Sequence, residues 1–121
     1  MTSDALKGRT KKFALEIFRI AEALPRNVTG KAISSPIAGS GSSMAANYRA
    51  ACKARSRPEF IAKSGIAEEE ADETLFWMEM LMEAGLTERE VLASMHAEGQ
   101  GLTSILAASR ISATRNLKNK Q

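Results

Sequence analysis

The sequence predicts an all-α fold: an up-down-up-down antiparallel four-helix bundle occupying residues 1–121 as a single domain. Three observations point there. Apolar residues recur at helical spacing through four stretches, Ser/Thr-x-x-Glu boxes open the last two, and the last two connections are only a few residues long.

The first helix is expected from Ser3 or Asp4 to Leu24, because Leu6, Phe13, Ile17, Ile20 and Leu24 keep the period and Pro25 stops it. A polar connection, Arg26 to Gly30, follows. In the second helix Ile33, Ile37, Met44, Tyr48 and Ala51 hold the period against Pro36, Gly39 and Gly41. Two readings stay open: a helix kinked near Pro36, or one that begins there with Ser35 as cap and Pro36 in the first turn. The small residues Gly39 to Ser43 favour close backbone packing over a flexible linker. The third helix opens on Ser56 and Glu59, carries Pro58 in its first turn, and runs to Ala84 before Gly85. Its inward stripe is Phe60, Ser64, Ala67, Ala71, Leu75, Met78 and Leu81, with Met82 beside it. Ile66, Phe76, Trp77 and Met80 fall off that stripe, so this helix needs a second neighbour, such as another subunit. The fourth helix opens on Thr87 and Glu90, continues through Leu92, Met95, Leu102 and Leu106, and is expected to fray in the basic tail, about residues 115–121.

Apolar residues at 44% and charged residues at 26% exclude a wholly disordered chain. The one cysteine, Cys52, cannot form an internal disulfide and fits a reducing compartment. Glu16 and Arg19 interrupt the apolar stretch a signal peptide needs, and no apolar run approaches the roughly 20 residues of a membrane span. A cytoplasmic protein without membrane contact is therefore expected. Its net charge of +3 hides strong segregation: about +8 over residues 1–57, −9 over 58–106 and +4 beyond.

No catalytic constellation emerges, and neither an enzyme nor a cofactor is expected. Di-iron bundles use Glu-x-x-His pairs, whereas the single histidine, His96, has Ala93 three residues before it. Glu69 and Glu73 read as a solvated face rather than a metal pair, and Cys52 as a structural thiol. Gly39 and Gly41 follow no strand, so they form no phosphate loop.

The segment Ala46 to Lys63, with its Asn-Tyr-Arg, Ala-Arg-Ser and Glu-Phe-Ile-x-Lys elements, is followed by Glu69 to Trp77. Together with Arg9 to Leu15 and the Leu24-Pro25 stop, it resembles the bacterial four helix bundle family that includes the 23S ribosomal RNA intervening-sequence proteins. The resemblance spans about residues 6–115. It implies a homopentameric ring and a ribosomal or RNA-binding role. A similar branch, the accessory variability determinants of diversity-generating retroelements, binds reverse transcriptase and nucleic acid. The chain departs from the family pattern at Pro36 to Ser40, where a cation is lost and a proline gained.

Arg49 and Lys53 are four apart on one helical face, and Arg55 and Arg57 carry the cluster into the next turn. These are the first candidates for nucleic-acid phosphates; Lys7, Arg9, Lys11 and Lys12, with tail residues Arg110, Arg115, Lys118 and Lys120, form a second set. The competing reading pairs the first cluster with Glu68, Glu69, Glu70, Asp72 or Glu73. Asn47, Tyr48, Phe76, Trp77 and Met80 are candidates for an oligomer interface. The period of Tyr48 also places it in the core, away from any role in stacking on a base. The expected function is a non-enzymatic oligomeric bundle that binds RNA, a ribosomal partner or an RNA-processing protein. The alternative is a self-assembling scaffold with no nucleic-acid ligand.

Overall fold

A computed structural model describes residues 1–119. Four helices, α1 (Ser3–Ala23), α2 (Val28–Cys52), α3 (Arg57–Ala84) and α4 (Arg89–Asn119), make up nearly all of it, and no strand occurs among the described residues. Cross-helix contacts pair rising with falling residue numbers. On α3 and α4, Glu68 meets Arg110 and Glu79 meets His96; on α1 and α2, Lys7 shares a groove with Lys53, Ile17 meets Gly41, and Glu22 shares a groove with Lys31. Each of these neighbouring helices is therefore antiparallel to the next. α1 and α4 close the bundle with the slightest contact.

The caps follow from local chemistry. Thr2 opens α1 by accepting from the Ala5 N–H at 3.1 Å. Ser56 opens α3 by accepting from the Glu59 N–H at 3.2 Å, while the Glu59 carboxylate accepts from the Arg55 N–H at 3.0 Å. The return arm of this box thus lands one residue early. Gly85 ends α3 in the left-handed region, φ 68°, where glycine carries no Cβ penalty.

Three expectations are corrected. α2 begins at Val28, not at Pro36, and much of the expected loop is its first turn. Asn27 caps it by accepting from the Gly30 N–H at 2.8 Å. Gly30 is required because a Cβ there would lie 1.9 Å from the Pro25 carbonyl oxygen. Pro36 sits inside the helix, where its missing N–H costs about 3 kcal/mol. Burial of Ile33 and Ile37 on either side of it offsets that loss. Second, α4 starts at Arg89, one residue later than a cap at Thr87 would start it. The Leu86 N–H donates to the Leu81 oxygen at 3.2 Å, closing the end of α3, and the next helix resumes only beyond that closure. Third, the helical conformation of α4 continues past Arg115 to Asn119, with Thr114 bonded back to the Arg110 carbonyl at 2.9 Å. Lys120 of the basic tail lies outside the described residues.

The core contains Ile17, Ile37, Met44, Met78, Leu81, Leu92, Leu102 and Leu106, all fully buried. Phe60 of the expected stripe is only half-buried. Thr74, which periodicity alone did not single out, is fully buried, and its hydroxyl lies 2.8 Å from that of Ser40 on α2. Of the small residues on α2, Gly41 packs closely: an added Cβ would lie 3.1 Å from the Ile17 side chain. Gly39 is exposed and meets nothing there.

Candidate nucleic-acid interface

Residues four apart on a helix share a face, so Lys7 and Lys11 project together from α1, and Arg49 and Lys53 from the end of α2. Antiparallel packing brings the two pairs to the same end of the bundle. Lys7, Gly8, Lys11, Ala45, Ala46, Arg49 and Lys53 line one groove of about 600 Å³. Gly8, Ala45 and Ala46 are too small to fill it. The negative end of the α2 dipole also favours the cation at Arg49. Lys7 reaches Asp4 at 3.0 Å, but Asp4 is 89% exposed, which leaves that pair weak. Lys11, Arg49 and Lys53 form no ion pair among the described residues.

The other four sequence candidates go elsewhere. Arg9 makes a two-pronged contact with Glu98 on α4, Nε to Oε2 at 2.8 Å and Nη2 to Oε1 at 2.7 Å. That hydrogen bond raises the Arg9 pKa and lowers that of Glu98 against an opposing burial effect; the nearby charge of Lys12 lowers Glu98 further. Lys12 lies beside them in a groove with Glu16 and Ser94. Arg55 is exposed and serves the α3 cap through its backbone N–H. Arg57 lines a separate groove with Phe60, Ser109, Ser112, Ala113 and Asn116.

The acids of α3 that meet a basic side chain meet it on α4, not in the basic cluster. Glu68 accepts from Arg110 Nε at 2.6 Å, which raises the Arg110 pKa. Glu79 meets His96 at 3.0 Å. Glu70 is left among its own kind: burial raises its pKa, and Glu73 and Glu69 push it further. Arg110, grouped by sequence with the tail, thus belongs to the α3/α4 seam. Its partner lies 42 positions away, beyond the reach of local spacing. Among the described residues no three His, Cys, Asp or Glu side chains converge on a metal-sized site. Among the described residues no helix is long and apolar enough to cross a membrane.

The interface candidates also separate. Tyr48 is 3% exposed, buried in the core, and offers almost no surface to another chain. Burial and the neighbouring Cys52 raise its phenol pKa. Asn47 is half-buried and donates within α2 to the Ser43 carbonyl at 2.9 Å. Phe76 and Met80 are 50% and 40% exposed. Half-buried Trp77 packs edge-on to Phe76, with ring centroids 4.9 Å apart.

The family model of the 23S rRNA-intervening sequence protein matches residues 6–108. The fold is similar to a crystal structure, at 1.70 Å resolution, of a protein of unknown function from the S23 ribosomal protein family of Bacteroides thetaiotaomicron VPI-5482. That likeness has a TM-score of 0.82 and 31% identity, and covers 91% of this chain and 98% of the other. No curated protein matches the chain. With the family model spanning most of the bundle and a solved relative superposing on almost all of it, the chain belongs to the 23S rRNA-intervening sequence protein family.

Proposed function

We propose that this is a non-enzymatic, cytoplasmic accessory protein that binds RNA phosphates through the α1/α2 groove. One observation carries the reading: Lys7, Lys11, Arg49 and Lys53 converge on one groove, and three of the four have no acid partner among the described residues. Charges left without a partner retain their full attraction for a polyanion, and each phosphate they neutralise releases counterions. Such contacts hold the backbone without reading its sequence. The family takes its name from a 23S rRNA-intervening sequence, which makes RNA the first polyanion to test.

Four cations on one chain are a modest footprint, and repetition in a homopentamer would multiply it through effective concentration. The exposed Phe76 and Met80, beside Trp77 on α3, support self-association through that face. They also favour the second reading, a scaffold that assembles without RNA.

Fluorescence anisotropy with a labelled RNA across a salt series tests the first reading. The wild type should bind with steep salt dependence, and Arg49→Ala with Lys53→Ala should flatten the slope by roughly 1 to 2 and weaken affinity at low salt. An intact protein that ignores RNA, or binds it independently of salt, would sink the proposal. Light scattering tests assembly: a monodisperse monomer would contradict the pentamer and the scaffold alike.

A further inference from the structure

We infer that Phe18 extends this groove as a base-stacking platform, so that the RNA taken there is single-stranded. The inference rests on the phosphate-binding reading and adds which form of RNA the groove selects. Phe18 follows Lys7 by eleven residues and Lys11 by seven. At 3.6 residues per turn it stands within about 20° of each, on the line between them. It lies roughly 10 Å along α1 from Lys11, close enough for one strand to touch both. Phe18 is 37% exposed, and Leu15 on its flank is 49% exposed.

The facing wall leaves the ring room. The contact of Ile17 with Gly41 sets the register of α2 at this level. On the face that carries Ala45 one turn on, α2 there presents Ala38 and Ser42. The Ser42 hydroxyl is turned back to the Ala38 carbonyl at 2.8 Å, so nothing long crosses the groove.

Neither Tyr48 nor Phe76 competes for this role. Tyr48 is buried. Phe76 is exposed, but α3 carries Glu69, Glu73 and Glu79 around it and no cation nearer than Lys63, whereas the one acid a turn beyond Phe18, Glu22, shares a groove with Arg26 and Lys31. Phe18 therefore sets a partly exposed aromatic side chain in line with a run of cations, the pairing that binds unpaired strands: backbone on the charges, base on the ring. A duplex keeps its bases stacked within itself and gains only the charges.

The test is anisotropy with labelled oligouridine of about 12 nucleotides and with a duplex RNA of the same length. The variants are Phe18→Ala, Phe18→Tyr and Lys11→Ala with Arg49→Ala, each checked by circular dichroism and light scattering. Phe18→Ala should weaken oligouridine binding about tenfold, leave duplex affinity and the salt slope unchanged, and be rescued by Phe18→Tyr. The cation variant should weaken both RNAs. Oligouridine affinity unchanged in Phe18→Ala, while the cation variant still loses binding, would overturn the stacking role and leave the phosphate reading standing. No binding of either RNA by the wild type would overturn both. A change of oligomer mass in Phe18→Ala would overturn the stacking role by assigning the ring to contact with a second copy.

Discussion

The α1/α2 groove and the α3/α4 seam are both rich in charge, yet they dispose of it differently. Along α3/α4 the chain supplies its own partners: Arg110 pairs with Glu68, and His96 hydrogen-bonds with Glu79. Along α1/α2, Lys11, Arg49 and Lys53 face small residues and one another, and only Lys7 has an acid, on its own exposed turn. A paired charge is spent holding two helices in register. An unpaired one raises the local potential and keeps it available to a ligand. The difference teaches that the basic and acidic halves of this sequence do not simply cancel across the bundle.

The largest expected effect on this contrast is the loss of RNA affinity on removing Arg49 and Lys53, against no loss when Glu68→Gln breaks a seam pair instead. Next is Gly41→Val. The side chain would press on Ile17, which is fully buried and cannot yield, so urea unfolding should show a loss of about 1–3 kcal/mol. That would locate the tight packing of the α1/α2 side in its floor rather than in its charges.

A smaller effect is expected at the contact between α1 and α4. A double-mutant cycle on Arg9→Ala and Glu98→Gln should give a coupling of about 1 kcal/mol or less, since both side chains are about one-third exposed and screened. The Glu98 pKa is lowered in the folded state, so this coupling is complete above the ordinary carboxylate pKa. It should fade as pH falls below that range and through the depressed value.

The smallest effect has the opposite sign. The Glu70 pKa is raised by burial and by Glu73 and Glu69, so its ionised form destabilises the folded state at neutral pH. Glu70→Gln should stabilise by a few tenths of a kcal/mol at pH 7. The gain should vanish as pH falls through the raised pKa, because the wild-type carboxyl is then neutral too. Melting curves at several pH values check both signs.

Element boundaries were legible where the signal is local. Ser56, Glu59 and Gly85 act through hydrogen bonds and backbone angles within a few residues, and α3 begins and ends where they imply. The start of α2 was not legible. Gly30 reads as a loop residue by composition, whereas its role is to let α2 pass the Pro25 carbonyl across the turn. Pro36 was ambiguous for a related reason: its local penalty is certain, but the burial of Ile33 and Ile37 that outweighs it is tertiary.

The site divides in the same way. Sequence spacing by itself determined that Lys7 and Lys11 share a face, and that Arg49 and Lys53 share another, because 3.6 residues per turn is a property of the helix alone. It also indicated that Tyr48 points inward. Only the tertiary structure decided that these two faces meet in one groove, that Arg9 leaves them for Glu98, and that the acids of α3 turn to Arg110 and His96. The physical reason is range. Periodicity orients a side chain on its own helix, but packing between helices determines which distant charge stands opposite it.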